Sequence, residues 1–148
     1  MSDERDKLKI LRRILAKAPS PNQDTAVLVG VDAQDDAAVL RLRNNLQFVI
    51  SSDFIRGTQF YLFQLGYLNH FDVGYYLVVA NLSDIAAMGA RPIGLTTVVR
   101  YGPTQTDEQF EQVFLGIRSA ADDYGVSVVG GEINCSESRK ITSVESRM

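Results

Sequence analysis

Along the first stretch of the chain, Leu8, Leu11, Ile14 and Leu15 recur at helical spacing with Lys and Arg between them, which predicts an amphipathic helix over 5–17. Pro19 and Pro21 stop the pattern, so 1–22 reads as an N-terminal helix and connector. Ala26 to Gly30, Ala37 to Leu42 and Leu46 to Ser51 are short β-branched or apolar runs that predict strands, with Arg43-Asn44-Asn45 as a hairpin turn. From Val73 to Met88 the sequence is apolar nearly all round, which at that length predicts a buried helix rather than a strand; Asp72 is its expected N-cap and Gly89 its C′ residue. His70 is expected in the loop before that cap.

After Arg91-Pro92, Ile93 to Val99 reads as a strand. A second helix opens on a capping box, Thr106 with Gln109, carries Phe110, Val113, Phe114, Ile117 and Ala121 at core spacing, and closes at Gly125. Val126 to Val129 predicts a buried strand that ends on Gly130-Gly131-Glu132, and Lys140 to Val144 predicts one more short strand. This order predicts an α+β fold, a mixed β-sheet with flanking helices. The sequence holds no internal repeat, low-complexity tract or second-domain linker, so 1–148 is expected to be a single domain.

Composition narrows the chemistry. Of 148 residues, 45% are hydrophobic and 22% charged, ordinary for a globular fold, and the net charge is −3 with no clustered basic stripe, which argues against nucleic acid as a partner. No apolar run is long enough to span a membrane and the N-terminus is too charged for a signal peptide, so a cytoplasmic protein without a membrane partner is expected. One cysteine, Cys135, and one histidine, His70, exclude a Cys- or His-built metal cage. Any metal must therefore be held by carboxylates, which suits a hard ion such as Mg²⁺. Neither a Walker-type nor a Rossmann-type glycine loop is present, so a nucleotide would have to bind through metal and loops.

The acidic residues fall at places that matter. Asp35-Asp36 precede an apolar run, Asp53 follows the strand ending at Ser52, and Glu132 follows the strand Val126 to Val129 through two glycines. Asp84 shares a helix stripe with Asn81 at i, i+3. A buried, unpaired carboxylate is costly, so Asp84 needs a cation, a cap or a donor. Each group also has a plainer use: Asp35 and Asp36 as a turn or cap, Asn81 and Asp84 as an internally satisfied polar pair, and Gly130-Gly131 as a tight turn with Glu132 exposed.

Five blocks together resemble the N-terminal domain of the thiamine-monophosphate kinase family. They are Gln34-Asp35-Asp36-Ala37-Ala38-Val39-Leu40; Ser52-Asp53 with Gly57 and Phe60; Phe71-Asp72-Val73-Gly74-Tyr75; Asn81 to Pro92 (Asn-Leu-Ser-Asp-Ile-Ala-Ala-Met-Gly-Ala-Arg-Pro); and Gly130-Gly131-Glu132. The superfamily also holds aminoimidazole ribonucleotide synthetase and selenophosphate synthetase, from which the Asn81 to Gly89 wording separates this chain in favour of the kinase branch. The resemblance implies an α+β domain that dimerises through a β-barrel across a two-fold axis, with ATP and several Mg²⁺ ions near the interface. By position it implies Asp35, Asp36, Ser52, Asp53, Asp72, Asp84 and Glu132 as metal ligands, and Asn81, Gly130 and Gly131 as cofactor-binding residues. The implied reaction is phosphoryl transfer from ATP to thiamine monophosphate.

The sequence departs from the family at four points. Glu132 stands where the family has Asp, Gln34 where it has Gly, and Gln59 where it has His before Phe60. Family members also have a second domain and about twice this length. Two expectations follow: the ATP- and Mg-binding domain of a phosphotransferase, incomplete for turnover alone, or a free-standing, non-catalytic dimeric homologue that binds nucleotide or regulates.

Overall fold

The computed structural model describes residues 4–15, 25–33 and 35–135. The expected strand Lys140 to Val144, residues 16 and 17 of the first helix, and Gln34 lie outside the described residues. The described chain forms two compact units, one taking in residues up to Ile55 with Leu77–Pro92, the other Arg56–Tyr76 with the residues from Ile93 onward.

The first unit contains α1 (Glu4–Leu15) and an antiparallel sheet ordered β1 (Ala26–Val29), β2 (Ala38–Arg41), β3 (Gln47–Ile50). All three strands lie where the apolar runs predict them. β2 and β3 pair Ala38 with Ile50 through to Arg41 with Gln47, and the hairpin closes with the Leu42 N–H donating to the Leu46 carbonyl at 2.7 Å. The turn needs two consecutive residues at positive φ, and Asn44 and Asn45, both at +62°, supply them because a short amide side chain tolerates that region. Ala37 and Val39 are buried beneath this sheet. On α1 the apolar residues Leu8, Ile10, Leu11, Ile14 and Leu15 are exposed, whereas Arg12 is half-buried and its Nη2 donates to the Asp32 carbonyl.

The second unit contains a 3₁₀ turn at Gly57–Gln59, the one-turn α2 (Tyr61–Gln64), the first half of α3 (His70–Ala87), β4 (Leu95–Tyr101), α4 (Asp107–Asp123) and β5 (Val128–Cys135). β4 and β5 are parallel, which requires a crossover, and α4 is that crossover. Its ends are those the sequence predicts. The Thr106 hydroxyl accepts from the Gln109 N–H while the Gln109 side chain accepts from the Thr106 N–H. Beyond the last turn Gly125 takes φ +63°, and the Val126 N–H returns to the Ala121 carbonyl.

The start of α3 differs from expectation. Asn69, not Asp72, is the cap: its Oδ1 accepts from the Phe71 and Asp72 N–H groups, and Asp72 Oδ2 accepts in return from the Asn69 N–H at 2.8 Å. This is a reciprocal capping box with Asp at its third helical position. His70 therefore lies in the first turn of the helix rather than in a loop, edge-on to Phe63 at 5.0 Å. The other end holds to expectation: Gly89 at φ +66° donates to Ala86, and Ala90 donates to Ile85. α3 is also less buried than its apolar sequence predicts. Gly74, Val78 and Ala80 are buried, but Tyr76, Ser83, Ala86 and Ala87 are exposed.

Two glycines bring α3 and α4 into backbone contact. A Cβ on Gly74 would stand 1.9 Å from the Val113 carbonyl oxygen, and one on Gly116 would stand 2.0 Å from that of Phe71. Val113, Ile117, Ala120 and Ala121 are buried along α4.

β5 brings a further correction. It does not end before Gly130-Gly131-Glu132 but runs through them to Cys135, pairing Gly130 with Thr96, Gly131 with Thr97 and Glu132 with Val98. The glycines are not a turn; they admit a close approach and a bulge. The register shifts between Leu95 and Thr96, and a Cβ on Gly131, at φ +152°, would meet the Thr97 carbonyl oxygen at 2.0 Å. Glu132 is thus within a strand rather than at its end.

Neither glycine of the α3–α4 crossing can accept a methyl group without moving backbone. We expect Gly74→Ala and Gly116→Ala each to destabilise the chain by about 1–3 kcal/mol, the usual range for overpacking, read as a lower urea midpoint.

Candidate functional site

The chemistry of the first unit gathers where β3 ends and the second half of α3 begins. Beyond Ile50 the ladder stops, and residues 51–56 are irregular. Asp53 has no strand partner there, and Asn81 of α3 supplies one. Its Oδ1 accepts from the Asp53 N–H at 2.9 Å, and its Nδ2 donates to the Asp53 carbonyl at 3.3 Å and to the Leu77 carbonyl of its own helix at 2.9 Å. The Ser51 hydroxyl donates to the Asn81 carbonyl at 3.4 Å. With backbone so held, the Asp53 side chain is exposed, and Oδ1 accepts from the Phe54 N–H at 2.7 Å.

One turn further along α3, Asp84 is half-buried. Its carboxyl is held above the ordinary 3.8, first by desolvation, then by the negative charges of Asp53 and Asp36; the Ser83 hydroxyl works weakly the other way. Asp36 is exposed at the start of β2, with its own N–H donating to Asp35 Oδ1 at 3.0 Å. The structure therefore brings Asp36 and Asp53 each within electrostatic reach of Asp84, with Asn81 hydrogen-bonded to the Asp53 backbone and Asp35 and Ser52 adjacent in sequence.

The remaining sequence candidates belong to the second unit. Asp72 spends one carboxylate oxygen on the α3 cap, and Glu132 is exposed in β5. Gly130 has nothing within 4 Å of the place a Cβ would occupy, while Gly131 is committed to the Thr97 approach. Two contributors escape sequence reading. Asn69 has a legible signal, an Asn three residues before an Asp at the head of an apolar run. Arg12, which ties α1 to the Asp32 carbonyl shortly before Asp35, has none.

Among the described residues, no three His, Cys, Asp or Glu side chains are grouped closely enough to cage a metal by themselves. The donor set is all carboxylate and hydroxyl oxygen, and its excess negative charge is unrelieved by any described Lys or Arg partner at Asp36, Asp53 or Asp84. That combination suits Mg²⁺, which keeps several waters and binds through one or two carboxylates plus phosphate oxygens. Among the described residues no helix is long and apolar enough to cross a membrane.

The raised Asp84 carboxyl has a signed consequence for stability. The folded chain holds that proton more tightly than the unfolded chain, so stability falls as pH rises from the unfolded value through the folded one. Asp84→Asn removes the charged form. In metal-free buffer it is expected to raise the thermal midpoint at pH 7 relative to the parent, with the difference closing as pH falls below about 3.8, measured by circular dichroism melts across pH.

Comparison with known proteins gives a consistent result. A thiamine-monophosphate kinase of Archaeoglobus fulgidus is 34% identical over 102 residues, covering 69% of this chain and 32% of that protein. A selenide, water dikinase of Photobacterium profundum is 32% identical over 125 residues, covering 83% of this chain and 34% of the dikinase. Among solved structures, AaThiL complexed with AMPPCP and TMP matches with a TM-score of 0.57 at 19% identity, over 90% of this chain and 38% of that one, a likeness of fold. The chain thus spans about a third of the length of the curated relatives it matches. Residues 34–144, well over half of its length, match the family model for the N-terminal domain of AIR synthase related proteins, and the chain belongs to that family.

Proposed function

We propose that this chain provides the ATP- and Mg²⁺-binding part of a thiamine-monophosphate kinase-like phosphotransferase. The observation that carries the reading is Asp84, whose carboxyl is held above its ordinary value first by desolvation and then by the charges of Asp53 and Asp36, with no cation beside it among the described residues. In this reading Asp36, Asp53 and Asp84 hold Mg²⁺ together with ATP phosphate oxygens, and Asp35 and Ser52 contribute from the adjoining loops. Within the second unit Glu132 and Asp72 are proposed, each by itself, as metal ligands, with Asp72 also capping α3. Gly130, whose Cβ side is open, leaves room for a nucleotide beside β5; Gly131 keeps that strand in place.

Magnesium supplies charge neutralisation on the transferring phosphoryl group. The chain's own residues would hold and orient: the carboxylates would hold the ion, with Asp84 carried by α3 and the Asp53 backbone held by Asn81. The reaction proposed is transfer of the γ-phosphoryl of ATP to the phosphate of thiamine monophosphate, giving ADP and thiamine diphosphate. Support comes from the kinase relatives and from AaThiL, which is complexed with an ATP analogue and TMP. A cytoplasmic setting is part of the same proposal.

A homodimer is also proposed. On the β4–β5 sheet Val98 at 70%, Val129 at 67% and Ile133 at 53% exposure are left uncovered, Val98 beside Glu132 on one face and Ile133 beside Val99 on the other, and exposed apolar residues of this kind can be covered by a second copy. The same surface favours a second reading, a dimeric homologue that binds nucleotide without turnover.

Titration calorimetry of the purified chain with ATP should show binding with Mg²⁺ and none with EDTA, and Asp53→Asn and Asp84→Asn should each weaken it about tenfold or more. Unchanged affinity in both variants rejects the ligand assignment. Nucleotide binding without product formed from thiamine monophosphate, in the intact protein, would favour the second reading. Sedimentation velocity over a dilution series should show dimer at micromolar concentration; monomer alone throughout rejects the interface.

A further inference from the structure

Asn81 lies among residues implied to touch the cofactor, yet its side chain already makes three hydrogen bonds within the protein. Its acceptor oxygen takes the Asp53 N–H and its amide nitrogen gives hydrogen bonds to Asp53 and Leu77. An amide offers two N–H donors and an oxygen with two lone pairs; both donors and one lone pair are in use. We propose that Asn81 is a positioning residue: it pairs with both backbone polar groups of Asp53 as a neighbouring strand would, and so sets where the Asp53 carboxylate stands relative to Asp84 on the same helix.

The argument rests on three features. Asp53 lies beyond the last β2–β3 pair, so no ladder fixes its backbone. The bond from Asn81 to the Leu77 carbonyl, one turn back, locks the Asn81 side chain to the helix that also carries Asp84 three residues on. The Ser51 hydroxyl on the Asn81 carbonyl adds a second tie between the same two segments. The clamp leaves the Asp53 carboxylate free, apart from the Phe54 N–H on Oδ1. No other side chain provides the same set of functions at this length. Asp keeps the acceptor but loses both donors and adds a charge to an acidic cluster; Ser is too short to reach both groups.

The inference rests on the Mg²⁺–ATP reading, and two measurements separate their failures. In the first, amide hydrogen exchange is followed by NMR in the full chain without metal. Asn81→Ala should speed exchange at the Asp53 N–H at least tenfold while amides in the middle of α4 are unchanged; unaltered exchange at Asp53 overturns the clamp whether or not nucleotide binds. In the second, Mg²⁺–ATP affinity is measured for Asn81→Ala, Asp53→Asn and the double variant. Groups supporting a metal ligand typically alter metal affinity by about 10–100-fold. Asn81→Ala should therefore weaken binding about tenfold alone but less than about twofold when Asp53 is already Asn, because it acts through that carboxylate. Equal losses in both backgrounds overturn the positioning role and assign Asn81 a direct contact or a general structural part. If the parent chain binds no Mg²⁺–ATP, the nucleotide reading and the metal-setting role fall together, and exchange alone decides the clamp.

Discussion

The length and register of α3 are fixed at both ends by hydrogen bonds, and the candidate site depends on that. At the start, Asn69 and Asp72 satisfy each other's orphan groups; at the end, Gly89 turns the chain so that Ala90 closes on Ile85. Between these stops, Asn81 and Asp84 fall on one stripe, three residues apart. What turns that stripe toward the end of β3 is the Asn81 amide on the Asp53 backbone and the Ser51 hydroxyl on the Asn81 carbonyl.

The electrostatics follow from the same placement. Half-burial raises the energy of the charged Asp84 carboxylate, the charges of Asp53 and Asp36 add to it, and the carboxyl is raised accordingly. The backbone nearby is held by uncharged groups, the Asn81 amide and the Ser51 hydroxyl, and among the described residues no Lys or Arg is paired with Asp36, Asp53 or Asp84. A site that is repulsive when empty and attractive to a small divalent ion couples occupancy to stability.

Much of this was legible in the sequence. The strands of the first sheet, the ends of α4 and the Asn81–Asp84 stripe all carry local signals: alternation, a Thr-x-x-Gln box, a terminal Gly, i, i+3 spacing. The approach of Asp36 to Asp84 was legible only through the resemblance, because periodicity says nothing about segments distant in sequence. Of the two uses open to Gly130 and Gly131, the tight turn is the one the structure excludes, for a physical reason. Gly130 and Gly131 have the composition of a turn, but a missing Cβ serves close backbone approach equally well, and the Thr97 carbonyl that makes the difference is not visible from β5 alone. Gly74 and Gly116 are silent for the same reason, since each needs the other's helix to explain it. Burial of α3 was overestimated because an apolar sequence reports what can be covered, not what covers it.

The parallel pairing of β4 with β5 bears on how the chain is made. Leu95 meets Val128 and Tyr101 meets Cys135, so β4 leaves the ribosome well before its partner exists. Its backbone must wait through the synthesis of all of α4. That helix carries its own stop signals at both ends and can form from local contacts alone, which shortens the span that must close before the strands meet. The Thr106–Gln109 box thus favours helix before sheet as well as marking a boundary, since β4 has no β5 to pair with until α4 has been made.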